Sequence, residues 1–156
     1  MLAALKKVLI DYFKTMMAPG EALSGIMDIR SGRIVSLSVP GIKFPFISIS
    51  VEKINVKLAS GKTPYYMESL FMLELYTVSN KALGVAEDEC LKLFLSDDLA
   101  TGIMKLFHDK QSFYVGTQPF LVTPNDEDAI VIAGGSPDDA FTYAIRLPLK
   151  VITWKD

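Results

Sequence analysis

Residues 141–154 read Phe-Thr-Tyr-Ala-Ile-Arg-Leu-Pro-Leu-Lys-Val-Ile-Thr-Trp, and this stretch decides the fold of the chain. Apolar side chains occupy every second position from Phe141 to Val151, which is the period of a β-strand with one buried face. Such a strand reaches about 50 Å, whereas most strands hold about five or six residues. We therefore expect it to bend or to project as a hairpin arm towards a neighbour. Because Pro148 cannot donate to a ladder, we expect an edge strand or a bulge there.

Two more strands lie in the middle of the chain, and the first changes its apolar face. Residues 47–51 carry apolar side chains on one parity, and residues 54–58 carry them on the other. Since the side-chain period of a strand is two, this pattern predicts a β-bulge or a sharp bend near Glu52-Lys53.

The second of these strands, Tyr65–Val78, is apolar at its centre on both faces. One face holds Phe71, Leu73 and Leu75, and the other mixes charge with apolar bulk: Glu68, Leu70, Met72, Glu74 and Tyr76. A strand of this kind is either buried on both faces or covered by a partner.

Three amphipathic helices are predicted from apolar residues at spacings of three and four. The first spans Met1–Met17, and Pro19-Gly20 ends it. The second spans Lys81–Leu95 after a cap at Ser79 or Asn80. The third follows a cap at Ser96 or Asp97, with its inward side chains at Leu99, Ile103, Leu106 and Phe107.

The remaining segments complete an α+β domain. Strand patterns cover Arg33–Val39, Ser112–Val115, Gln118–Val122 and Ala129–Ala133, separated by short turns. The order of helix, strands, two helices and strands predicts a mostly antiparallel sheet with helices packed on one face and long β-hairpin extensions. At 156 residues, the chain has the length of a single domain over 1–156.

Composition excludes several classes of function. The chain is 50% hydrophobic and 22% charged, as globular domains are. Sixteen basic and eighteen acidic residues leave a net charge of −2, so no general attraction for nucleic acid or anionic membrane is expected. The lone cysteine, Cys90, excludes an internal disulfide framework, and the lone histidine, His108, excludes zinc sites that need two.

Four features resemble reactive sites, and a simpler structural explanation is favoured for each. His108 beside Asp109 is typical of a helix C-terminus, and Cys90 lies on a buried helical stripe. The acidic segment Asn125–Asp128 lacks the spacing of a calcium loop, and Gly134-Gly135 lacks the rest of a phosphate loop. We therefore assign no catalytic, cofactor-binding or metal residue and predict that the protein is not an enzyme.

Charged residues on the strands suggest contacts between subunits instead. Glu68 and Glu74 share a face but lie about 20 Å apart along the strand, too far to act as one acid–base pair. Arg146 and Lys150 lie on the outward face of the last strand. We hypothesise that these cations meet acidic groups of a neighbouring copy.

The chain carries no predicted export or membrane signal. The apolar run Val8–Ile10 ends at Asp11, which is shorter than the ~7–15 residues of a signal-peptide core. No segment approaches the roughly 20 apolar residues of a membrane span. We expect a soluble protein made in the cytoplasm.

The order of elements resembles the tail-terminator, or tail-completion, proteins of long-tailed bacteriophages. The resemblance rests on the first helix Met1–Met17, the proline-entered strand at Phe44–Ile49, the strand Leu70–Val78 that runs into helix Lys81–Leu95, and the closing β region Ala129–Trp154. The connection Glu21–Val39 is longer than is usual in that family.

This resemblance implies a virion protein that forms a hexameric ring on the last ring of the tail tube. Such a ring stops tube polymerisation, joins the tail to the neck and head proteins, and passes DNA through its opening without reading its sequence. The interface pieces that it implies are the mixed face of Glu68–Tyr76, the loop Glu52–Pro64 and the hairpin Asp126–Asp139. A head-to-tail interface that closes by rotation generates a ring of this kind.

Two alternatives stay open at this point. The chain is either another neck or tube-like virion protein of the same fold family, or a small cytoplasmic α+β domain that binds a ligand or carries an unrecognised activity. A ring protein assembles into several copies, whereas the small domain stays monomeric or dimeric.

Overall fold

The computed structural model describes residues 1–33, 41–58, 65–125, 130–134 and 140–155. These ranges contain the helices α1 (Leu2–Thr15), α2 (Leu83–Phe94) and α3 (Ile103–Asp109). They also contain the strands β1 (Asp28–Ser31), β2 (Phe46–Leu58), β3 (Tyr65–Ser79), β4 (Ser112–Val115), β5 (Gln118–Pro124), β6 (Ile130–Gly134) and β7 (Phe141–Lys155).

The strands form one sheet in the order β1-β2-β3-β7-β5-β4, and β6 also pairs with β7. β1 runs parallel to β2, and the other described pairs are antiparallel. The predicted α+β class with a mostly antiparallel sheet is therefore confirmed.

The two longest strands, β3 and β7, form the centre of this sheet. Each has 15 residues, and they pair along their whole length, from Tyr65 opposite Lys155 to Ser79 opposite Phe141. The great length of β7 is thus matched by an equally long partner. β7 lies inside the sheet and pairs with β3 without a shift in register, so the prediction of an edge strand or a bulge at Pro148 is wrong.

Pro148 is accommodated in an interior strand by a gap between two neighbours. On the side of β7 away from β3, β6 pairs with residues 142–146 and β5 pairs with residues 149–152. The carbonyl of Pro148 points into this gap and accepts the Asn125 backbone N–H at 2.9 Å. Within a strand, the N–H of a residue points to the same side as its carbonyl, so proline removes no donor from the ladder with β3.

The predicted irregularity in β2 is confirmed. Val51 pairs with Phe71 and Lys53 pairs with Leu70, which leaves Glu52 without a partner in the register. This extra residue turns Ile54 to the sheet face that carries Ile47 and Ile49, and explains the change of parity in the sequence.

The first strand differs from its prediction. β1 occupies Asp28–Ser31 and pairs with Phe46–Ile49, in a stretch whose sequence shows no alternation. The predicted strand Arg33–Val39 lies outside the described residues except for Arg33, which is not in a strand.

The helices cover one face of the sheet, as predicted. Leu5, Leu9 and Phe13 of α1 are fully buried in the main apolar core, and α1 packs chiefly against β4 and β1, whereas α2 packs against β3 and β7. The ring of Phe13 meets that of Phe107 in α3 edge-on, at 5.8 Å between centroids. α2 is fixed by the Thr77 hydroxyl, which donates to the Ala86 carbonyl at 2.6 Å.

The starts of α2 and α3 correct the predicted caps. Ala82 precedes α2 without a side-chain cap, and Ser79 instead accepts the Lys81 backbone N–H. Gly102 precedes α3, whereas Ser96 belongs to a turn in which its hydroxyl accepts the Thr101 N–H. Leu99 lies in this turn and is 62% exposed, so its predicted inward position is wrong.

Candidate functional site

The mixed face of β3 is buried over one half of its length. Met72, Glu74 and Tyr76 are each at most 9% exposed. Phe46 stacks on the Tyr76 ring at 4.7 Å between centroids and forms with it and Ala144 a second, smaller apolar cluster. This half is therefore covered by the chain itself, and only the end near Glu68 remains accessible as the predicted interface.

Glu74 and Arg146 form a buried pair on this face. The Arg146 Nε lies 3.6 Å from Glu74 Oε2, and the Tyr76 hydroxyl donates to the same oxygen. Glu74 Oε1 has no hydrogen-bond partner among the described residues. Burial, followed by the hydrogen bond to the Glu74 carboxylate, raises the pKa of Tyr76 far above its usual range.

Glu68 and Lys150 form a second ion pair with the same arrangement, at the end of this face that is more exposed to solvent. Lys150 Nζ lies 3.8 Å from Glu68 Oε1, and the Tyr66 hydroxyl donates to Glu68 Oε2 at 3.2 Å. Arg146 and Lys150 thus meet acidic groups of their own chain, in the contacts that the sequence analysis assigned to a neighbouring copy. Glu68 and Glu74 belong to separate ion pairs.

A small cleft lies beside the Lys150–Glu68 pair. It measures about 160 Å³ and is lined by Lys53, Asn55, Glu68, Leu70, Asn125 and Lys150, together with Ser69. Ligand pockets usually measure about 300–1,000 Å³, so this cleft is smaller than most of them.

His108 is a surface residue at the end of α3. Its side chain is 82% exposed, and its Nδ1 lies 3.3 Å from the Asp109 carboxylate. The Lys105 ammonium donates to the same carboxylate at 2.5 Å. These two neighbours, Lys105 first, lower the pKa of Asp109. The arrangement is an exposed ion pair on the surface of a helix.

Cys90 is buried in α2, with its Sγ 3.8 Å from the Leu75 carbonyl. Burial raises the pKa of the thiol to about 12. A protonated, enclosed thiol is a poor nucleophile. Among the described residues, no three His, Cys, Asp or Glu side chains lie together as metal ligands.

Several predicted features fall outside the described residues. These are Asp126–Asp128 of the acidic segment, Gly135, and most of the hairpin Asp126–Asp139 apart from β6. Residues 59–64 of the predicted interface loop also fall outside them.

An exposed apolar surface on the helical side was missed by the sequence analysis. We name it the α2–α3 groove: it measures about 430 Å³ and is lined by Leu95, Leu99, Met104, Lys105 and His108. Leu91 of α2, four residues before Leu95, is also 44% exposed. The signal was present in the sequence, because Leu91 and Leu95 are four residues apart and off the stripe of Ala86 and Cys90.

A second exposed surface lies where β2 and β7 end and β3 begins. We name it the strand tips, residues 53–55, 66–70 and 150–154. Ile54 is 54% exposed and Trp154 is 47% exposed. Ile54 pairs with Ser69, and Trp154 pairs with Tyr66. Ser69 and Tyr66 are three residues apart in β3, so their side chains point to opposite faces of the sheet. The two apolar side chains therefore lie on opposite faces of the sheet.

The sequence matches no protein-family model and no curated protein. In the described part of the chain, every helix is too short or too polar to cross a bilayer.

Proposed function

We propose that this chain is a structural virion protein, the tail terminator of a long-tailed bacteriophage. It forms a hexameric ring on the tail tube, ends tube growth and joins the tail to the neck. The proposal rests on the resemblance in element order, and on a surface suited to contacts between proteins.

The observation that carries the proposal is the pair of exposed apolar surfaces on one small domain. The α2–α3 groove exposes Leu95 and Leu99, and the strand tips expose Ile54 and Trp154. Clustered exposed apolar side chains, such as those of the groove, are typical of protein interaction sites. Two unlike surfaces on one chain suit a head-to-tail interface, which closes into a ring when the rotation allows it.

The long strands explain how such a subunit works by shape. β3 and β7 span about 50 Å at ~3.3 Å per residue, and the helices pack on one face of them. A stiff sheet of this length holds its two ends in a fixed geometry. One side of the ring then copies the contacts of a tube subunit, and the other side ends addition.

Another neck or tube-like protein of the same particle is the second candidate, because any ring along the tail needs two such surfaces for contacts between its subunits. The genes beside this one distinguish a virion protein from a cellular one. Neighbouring capsid, portal and tube genes are expected, and an operon of metabolic genes would contradict both virion roles.

Light scattering during size-exclusion chromatography tests the ring. We expect the mass of a hexamer, or a mass that rises with concentration towards it, because subunit association follows mass action. A mass of one or two subunits at every concentration would contradict the proposal.

A further inference from the structure

We propose that the cleft beside the Lys150–Glu68 pair binds inorganic phosphate in its hydrogen phosphate form. The site takes a small anion that still carries a proton, and a single copy of the chain builds it. The inference therefore goes beyond the proposed ring and does not depend on it.

Two lysines flank the cleft from opposite sides of β3. Lys53 of β2 and Lys150 of β7 both pair with Leu70, so the three side chains lie in one row on one face of the sheet. Adjacent strands are about 5 Å apart, which places the backbones of the two lysines about 10 Å from each other. A small anion above Leu70 is then within reach of both flexible four-carbon side chains.

Both ammonium groups have donors to spare. Lys150 Nζ lies 3.8 Å from Glu68 Oε1, which is an ion pair beyond the distance of a hydrogen bond. Lys53 is exposed and forms no ion pair or hydrogen bond with any residue that the structure describes. Since a lysine ammonium has three donors and no acceptor, both groups can donate to the oxygens of one anion.

The other walls of the cleft are polar and leave room for a few atoms. Asn55 pairs with Glu68 in the row beside Leu70, and its amide adds a donor on the same face. Asn125 lines the cleft from the side of β7, where its backbone N–H donates to the Pro148 carbonyl. The volume of about 160 Å³ lies below the usual range of ligand pockets, which favours a small anion.

Glu68 decides which anion the cleft accepts. A carboxylate accepts hydrogen bonds and donates none, so it repels an anion that has no proton to offer. Near neutral pH, inorganic phosphate keeps at least one P–OH group that can donate to Glu68, whereas sulfate keeps no proton. The Tyr66 hydroxyl donates to Glu68 Oε2 at 3.2 Å and orients the carboxylate. The cleft therefore favours hydrogen phosphate, because an unpaired carboxylate acts against its competitors.

Isothermal titration calorimetry of the wild-type chain tests the site, with sodium chloride added to hold the ionic strength constant. We expect inorganic phosphate to bind once per chain and sulfate to bind about tenfold more weakly. Acetate stands for an acidic side chain of a partner protein, and it should bind as weakly as sulfate because it has no proton to donate. Equal affinity for phosphate and either of these anions would overturn the inference, as would an absence of phosphate binding.

A lysine variant assigns the binding to this cleft. Lys53→Met should weaken phosphate binding by about tenfold, because it removes a charge-assisted hydrogen bond. Lys14→Met is the matched control, because Lys14 is also exposed but lies on α1. Its phosphate affinity should equal that of the wild type. Equal weakening in the two variants would reveal a general effect of charge and refute the site.

Glu68→Gln tests the choice of anion. The amide keeps the size of the side chain and can donate to an oxygen that carries no proton, so sulfate should bind about tenfold more tightly than to the wild type. An unchanged ratio of the phosphate and sulfate affinities would contradict the role of Glu68. Phosphate binding by a wild-type chain that stays monomeric would overturn the ring and leave this site standing.

Discussion

Arg146 illustrates how a buried charge limits substitution in this sheet. Glu74 is 3% exposed, and Arg146 is the cation beside it. Removing one member of a buried pair leaves an uncompensated charge, whereas replacing both by apolar residues is often neutral. Arg146→Met should therefore lower the free energy of unfolding by about 3 kcal/mol.

The double variant Glu74→Leu/Arg146→Met should recover most of that loss. Urea unfolding of the wild type, the two single variants and the double variant measures the coupling between the two sites. Lys150→Met is the matched control, because the Glu68 partner of Lys150 is partly exposed. If Arg146→Met and Lys150→Met lowered the free energy of unfolding equally, burial of Glu74 would carry no extra cost.

Cys90 reports on the packing of α2 against the sheet. Its thiol pKa is raised by burial from 9.0 to about 12, so the native thiol should react with a disulfide reagent at least about a hundredfold more slowly than in urea. Because the pKa of the thiol is higher in the folded than in the unfolded state, its protonated form stabilises the fold at every pH below the unfolded-state pKa. This contribution should be lost as the pH rises from 9 towards 12. Rapid labelling of the native protein near neutral pH would contradict this packing.

At the scale of elements, the sequence shows where a strand lies through its alternation of apolar residues, but it does not show which strands pair with it. The alternation in β7 and the parity change at Glu52 depend on local spacing, so both were predicted. β1 has four residues and is held by pairing with Phe46–Ile49. That pairing is distant in sequence, so no local pattern marks the strand.

The candidate site shows the same division. The mixed composition of β3 predicted a covered or partnered face, and half of that face is covered. The pairing of Glu74 with Arg146 depends on the register between β3 and β7, which the sequence does not contain. The α2–α3 groove depends on which helical side chains the sheet leaves uncovered, so the predicted inward Leu99 is exposed instead.

Gly102 joins α2 to the segment before β1 and allows one prediction at this scale. Its φ is +108°, its N–H donates to the Ala22 carbonyl at 2.8 Å, and an added Cβ would lie 2.7 Å from the Phe94 carbonyl oxygen. Gly102→Ala should cost about 2 kcal/mol in urea unfolding, from backbone strain and this clash.

Gly84 in α2 is the matched control for that substitution. A Cβ there meets nothing within 4 Å, and alanine is favoured over glycine in a helix by up to about 1 kcal/mol. Gly84→Ala should therefore be neutral or stabilising. If both alanine variants unfolded at the wild-type urea concentration, the close approach at Gly102 would be refuted.

At the scale of the whole molecule, the chain combines a stiff sheet with two unlike exposed surfaces. The central claim is that it acts by shape, as one subunit among identical copies.

Electron microscopy of the concentrated protein tests this claim most directly. The account predicts class averages of closed, hexameric rings with a central opening. A field of single globular particles for the wild-type protein, at concentrations far above those in a cell, would contradict it.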